Sequence, residues 1–157
     1  MVFQGVIAEG IGKYADLHVP GKHQIGQAPA DWPVVLCKGS LNVRVNPDGY
    51  PAFFAMRALP NKVATLDQHC FPSCFEIAYN QFGNNQLRPT AADTRRGSAQ
   101  VWRARLEANG HQVSCWVLRR YGSALVDVLE VLSDRHLRQT YGLANNQHAI
   151  VTLYAGA

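Results

Sequence analysis

Glycine and proline punctuate this chain so closely that only short, strand-sized segments remain between them. The 13 glycines and 8 prolines are spread through all 157 residues. Glycine opens left-handed backbone conformations, whereas proline fixes φ and removes a hydrogen-bond donor. Val2 to Ala8 reads as a strand, Gly10-Ile11-Gly12 as a turn, and Tyr14 to Val19 as an extended piece broken at Pro20-Gly21. In Leu41 to Val45, Leu41, Val43 and Val45 alternate with Asn42 and Arg44, the period of a half-buried strand. The turn Asn46-Pro47-Asp48-Gly49 follows it.

Residues 50–98 are loop-rich, with Pro51, Pro60, Pro72 and Pro89 and one short strand expected over Cys74 to Asn80. Five of the six phenylalanines fall here: Phe53, Phe54, Phe71, Phe75 and Phe82. So apolar a stretch is expected to pack on the rest of the molecule and to form one rim of a cleft. From Ala99 the alternation returns. Trp102, Ala104 and Leu106 alternate with Arg103 and Arg105, a strand with one basic face, and Asn109-Gly110 signals a hairpin. Val113 to Leu118 is the return strand, Val126 to Leu132 a largely apolar one, and Ala149 to Tyr154 the last. Between them Ser133 or Asp134 caps one helix that runs to Tyr141 and stops at Gly142. Many short strands and one helix predict a mainly-β chain, a small barrel or sandwich with an appended helix. Strand–helix alternation is missing, so the Gly-x-Gly at Gly10 is no dinucleotide fingerprint. With no Gly-Lys-Ser/Thr after it, it is no P-loop either.

Composition narrows the function classes. Apolar residues make up 47% and charged residues 17%, too apolar for a disordered chain. Residues 1–157 suffice to bury a core as one domain. No apolar run approaches the ~18 residues of a membrane span, and MVFQGVIAEG lacks the basic start of a secretory signal. A soluble, cytoplasmic protein without a membrane partner is the expectation. The net charge is +4, and 11 of the 15 basic residues are arginines, once Lys13, Lys22, Lys38 and Lys62 are set aside. Arginine favours planar, bidentate contacts to phosphate or carboxylate, which points to an anionic ligand. No Lys/Arg run exceeds two residues, which leaves nucleic acid as an unlikely partner. His69-Cys70-x3-Cys74 lacks a second ligand pair at zinc-like spacing. Cys37, Cys70, Cys74 and Cys115 therefore read as free thiols.

Three separated pieces carry chemistry. In Gly10-Ile11-Gly12-Lys13-Tyr14, glycines allow close backbone approach to an anion and Lys13 supplies charge, although a bare turn has the same composition. In Gly39-Ser40-Leu41-Asn42, Ser40 and Asn42 share a strand face. A hydroxyl and a carboxamide so placed can hold a hard cation beside phosphates, or simply serve turn chemistry. Asp127 to Arg138 is an apolar strand that carries Glu130 into an arginine-rich helix start. Glu130 there needs a bonded partner, either a ligand or a core arginine. The helix amides together with Arg135 or Arg138 can hold an anion.

The order of these pieces resembles the archaeal-type CTP-dependent riboflavin kinases, small barrels of the cradle-loop kind with one or two short helices. The resemblance covers about residues 5–45 and 99–154, leaving an insert at about 46–98. It implies a Mg²⁺-dependent phosphotransferase that uses CTP or another nucleotide on riboflavin or a related hydroxyl acceptor. It also implies roles: Gly10, Gly12, Lys13, Arg135, His136, Leu137 and Arg138 bind the nucleotide, and Ser40 and Asn42 bind Mg²⁺. Glu130, with Ser123 and Arg120, faces the acceptor, and Glu130 is the one candidate for a catalytic role. The chain departs from the family pattern at four of these places. Ser40 stands for Thr, Asp134 for Pro, Gly122 for a flavin-contacting Thr, and Ile11 for a Glu between the glycines. Two alternatives stand beside this reading. One is a non-catalytic barrel that binds a nucleotide or sugar acid. The other is a nucleic-acid-binding barrel that uses Arg103, Arg105, Arg119 and Arg120.

Overall fold

A computed structural model describes residues 1–9, 18–45, 71–83, 87–123 and 128–156. Among these residues the seven strands are β1 (Val2–Ala8), β2 (Leu41–Val45), β3 (Phe75–Ile77), β4 (Ala99–Ala108), β5 (His111–Arg120), β6 (Val128–Leu132) and β7 (His148–Leu153). Among the described residues the sole α-helix is α1 (Leu137–Tyr141), with 3-10 turns at Lys22–Gln24 and Tyr79–Gln81. The strands run β3-β4-β5-β6-β2-β1-β7, and β7 returns to pair with β4. Every pairing is antiparallel. The result is a closed six-stranded barrel, with β3 as a seventh strand on β4. β3 pairs with Ala99–Val101 and β7 with Ala104–Ala108, so both use the same side of one long strand.

Alternation builds the barrel. Leu41, Val43 and Val45 of β2 point inward with Val117, Leu129 and Val131 of the neighbouring strands, around the fully buried Phe3 and Trp102. Barrel closure removes the exposed edges such strands would otherwise present. The outer face of β4 and β5 is covered as well at Ala99, Val101, Trp116 and Leu118. Trp32 sits at the centre of a second cluster with Phe75, Phe82, Trp116, Leu118 and Leu132. Its ring packs edge-on to Phe75 at 5.0 Å and to Trp116 at 4.9 Å, and its indole N–H donates to the Pro20 carbonyl at 3.0 Å.

The expected elements differ in detail. β5 spans His111–Arg120, longer than Val113–Leu118, because the hairpin carries its pairing with β4 out to Ala108↔His111. β3 ends at Ile77, since Ala78–Phe82 turn through the 3-10 segment. The helix begins at Leu137 rather than Ser133. The Ser133 hydroxyl accepts from the Arg135 amide at 3.1 Å, a local turn that competes with helix, and His136 takes the cap position by accepting from the Gln139 amide at 3.3 Å. Gly142, at φ +63, ends the helix as expected. Of Tyr14–Val19 and Val126–Leu132, residues 14–17 and 126–127 lie outside the described set, as do Phe53 and Phe54.

Candidate functional site

Antiparallel pairing of β2 and β6 decides which residues meet. In such a pair the start of one strand lies beside the end of the other, and Leu41 pairs with Val131. Residues that lead into β2 therefore lie beside those that leave β6, and the Cys37 amide donates to the Ser133 carbonyl at 2.9 Å. The cleft between them, about 150 Å³, is lined by Cys37–Leu41 on one side and by Val131, Ser133 and Arg135–Arg138 on the other. Two of the three pieces singled out in the sequence thus form one site. The third, Gly10, Gly12 and Lys13, lies outside the described residues. β1 ends at Ala8, whose register partner is Asn42.

The cleft is electropositive. Lys38, Arg135 and Arg138 carry permanent charge, His136 adds an imidazole, and no described lining residue is acidic. Arg138 is anchored by Nη2, which donates to the Ala8 carbonyl at 3.0 Å and to Asn145 Oδ1 at 2.7 Å. Arg135 Nη1 donates to the Tyr141 hydroxyl at 3.2 Å, six residues further on at the end of α1. Leu137 lines the cleft but is buried, its side chain in the barrel core, so it fixes α1 and offers no polar contact. The volume falls below the ~300–1,000 Å³ of sites that enclose a whole small molecule. It suits phosphate groups, with the remainder of a ligand lying outside.

Ser40 and Asn42 share a face. Ser40 Oγ donates to Asn42 Oδ1 at 3.3 Å, and Ser40 also lines the cleft. Asn42 is the direct register partner of Glu130, which in turn pairs with Leu118. These side chains lie on the outer face of the barrel, opposite the inward Val43, Leu129 and Val131. Glu130 is partly exposed, yet burial pushes its carboxyl above the ordinary carboxylate range while Arg119 and Arg120 pull it down. Among the described residues it makes no hydrogen bond or ion pair.

The other acceptor candidates are placed differently. Arg120 is buried, donates through Nε and Nη2 to the Gly97 carbonyl at 3.3 and 3.2 Å, and stacks over the Phe82 ring at 5.0 Å. Ser123 lies in the turn after β5, its amide donating to the Arg120 carbonyl at 3.1 Å. A Cβ at Gly122, where φ is +84, would sit 2.6 Å from Arg96 Cγ, so the family's Thr would be strained there and would have to displace the Arg96 side chain. None of the described residues between 71 and 98 lines the cleft. This part of the insert packs instead on the outer face of β4 and β5, because its phenylalanines find the uncovered apolar residues there.

No protein-family model matches the sequence, and no curated protein matches it. Sequence reasoning missed Cys37 and Lys38, which precede the recognised Gly-Ser-Leu-Asn piece. It also missed the opposition of Asn42 and Glu130. Lys38, the residue just before Gly39, was its one signal; the register left none.

Proposed function

We propose that this barrel binds the phosphates of a nucleotide in the cleft between β2 and β6–α1 and, with Mg²⁺, transfers a phosphoryl group to a riboflavin-type hydroxyl. The single observation that carries this reading is the convergence of Gly39–Leu41 with Ser133 and Arg135–Arg138, from opposite halves of the chain, on one cationic cleft that no acid lines among the described residues. Phosphoryl transfer needs mainly positioning and charge neutralisation, which such a cleft supplies. In the transfer, the acceptor oxygen bonds to the terminal phosphorus, the bond to the leaving diphosphate breaks, and the hydroxyl proton is released to water. Arg135, Arg138 and Lys38 would hold the phosphates, and Ser40 and Asn42 the Mg²⁺, whose role is to offset phosphate charge.

A second reading, nucleotide or sugar-acid binding without transfer, is favoured by the acceptor side. The family's Thr at Gly122 would strain the backbone at φ +84 and displace the Arg96 side chain, and Arg120 is bonded to Gly97. Nucleic-acid binding ranks third, because the basic strand face is internally compensated. Arg103 pairs with Asp31 through two 2.7 Å contacts, and Arg105 lies 3.5 Å from Glu107. Among the described residues no helix is long and apolar enough to cross a membrane.

A thermal-shift panel of CTP, ATP, GTP, riboflavin and FMN, with and without Mg²⁺, tests the binding. A ligand at ~100 times its dissociation constant adds ~2.7 kcal/mol. Incubation of riboflavin with the stabilising nucleotide then separates the readings. FMN formation supports transfer, stabilisation without FMN supports the second reading, and no shift with any nucleotide sinks both.

A further inference from the structure

We propose that Glu130 is a ligand of a divalent cation, completing with Ser40 and Asn42 an all-oxygen site on the outer face of β2 and β6. The inference rests on the Mg²⁺-nucleotide reading above and changes one role within it, since the family resemblance gives Glu130 to the acceptor. The register puts it elsewhere. Asn42 and Glu130 are direct cross-strand partners, and such partners have Cβ atoms ~4.5–5.5 Å apart, close enough for both side chains to reach one ion. Ser40 Oγ already lies 3.3 Å from Asn42 Oδ1.

Charge decides the matter. A hydroxyl and a carboxamide are neutral, and Mg²⁺ is usually held by one or two carboxylates plus substrate phosphates. Among the described residues of β2 and β6, Glu130 is the acid, and the register sets it directly opposite Asn42. A carboxylate beside a carboxamide and a hydroxyl supplies the negative charge that a divalent cation needs. Arg119 and Arg120 oppose a bare metal ion, as both act electrostatically on Glu130. Arg120 is directed to Gly97 and Phe82, however. The ion is therefore expected to enter with polyphosphate, whose negative charge offsets theirs. Ser40 belongs both to the phosphate cleft and to the Asn42 pair, so it joins the two halves of such a complex.

Mn²⁺ serves as the probe, read by electron paramagnetic resonance on the full chain with and without inorganic tripolyphosphate. Riboflavin binding is followed separately by fluorescence quenching. The parent protein should bind Mn²⁺ more tightly when tripolyphosphate is present. Glu130→Gln and Asn42→Ala should each weaken Mn²⁺ by about tenfold or more, since even outer-shell partners are worth that much. Glu130→Asp should recover part of the loss, and riboflavin affinity should stay within about twofold of the parent in all three. Retained Mn²⁺ binding with lost riboflavin binding in Glu130→Gln would overturn the inference and leave the proposed function intact. A parent that binds tripolyphosphate but no Mn²⁺ would also overturn it, while the anion cleft stands. A parent that binds neither removes the nucleotide reading itself. Thermal melts of each variant establish that it is folded.

Discussion

Glu130 and Cys115 show how burial acts on single titratable groups in this barrel. Burial holds the Glu130 carboxyl above the ordinary carboxylate range despite Arg119 and Arg120. Such a group binds its proton more tightly folded than unfolded. Its contribution to stability is complete below the ordinary carboxylate pKa and is lost as the pH rises through the raised value. Glu130→Gln removes that loss. In metal-free buffer the variant should match the parent in acid and equal or exceed its stability at about pH 8, by chemical denaturation at both pH values. A drop of ~3–5 kcal/mol at neutral pH would mean instead that Glu130 is one half of a tight buried ion pair. Cys115 lies inside the barrel, where burial pushes its thiol up to about 12. A thiol that stays protonated is a poor nucleophile. Cys115 should therefore resist an aromatic disulfide reagent in the native protein and react only at the rate of unfolding. Reaction on mixing would show that the barrel wall opens there.

At the scale of elements, α1 is the informative case. Five residues cannot sustain a helix alone. It exists because Leu137 enters the core, His136 caps one end, and Asn109 Nδ2 donates to the Tyr141 and Gly142 carbonyls at 3.0 and 3.4 Å at the other. The hairpin that delivers Asn109 was legible in sequence, since Asn109 and Gly110 take φ +50 and +75, as an Asn-Gly turn requires. The helix start was not. Ser133 has the composition of a cap, but its hydroxyl is spent on Arg135. The cleft was legible only as separate pieces. The spacing of Ser40 and Asn42 declares a shared face, but strand register, which sets Asn42 against Glu130, is a long-range property. Tyr141→Phe keeps the ring and removes the hydroxyl that receives Arg135. Loss of that hydrogen bond should weaken tripolyphosphate binding by roughly 0.5–1.5 kcal/mol, by calorimetric titration, with the melting temperature little changed. Unchanged affinity would show that Tyr141 does not position Arg135.

For the whole molecule, the controlling fact is that β4 and β5 are covered on both faces where Ala99 and Val101 lie beside Trp116 and Leu118. Trp102 faces the barrel interior, and Trp116, on the other side of the same strand pair, belongs to the outer cluster. The strands were readable from alternation, and the packing of Phe75 and Phe82 from the apolar character of their stretch, but the share of residues 19–36 in the outer layer was not. Its cover comes from residues 19–36 as well as β3, and a stretch without apolar period gives no sign that Trp32 will be 1% exposed. Arg103 ties this layer to β4 from outside, bonding Asp31 and donating to Cys74 Sγ at 3.0 Å. That pair is solvent-exposed and contributes at most ~1 kcal/mol, so the apolar cluster carries the attachment. Trp32→Ala should accordingly cost ~3–5 kcal/mol, as for other buried aromatics. The loss should not be uniform, because the barrel is closed by its own hydrogen-bonded ring and keeps its own core. Hydrogen exchange should quicken most at Ile25, Phe75 and Ile77, and far less at Val43, Leu129 and Val151. Equal acceleration in both sets would show instead that the two cores unfold as one cooperative unit, with the outer layer as necessary to the barrel as the barrel is to it.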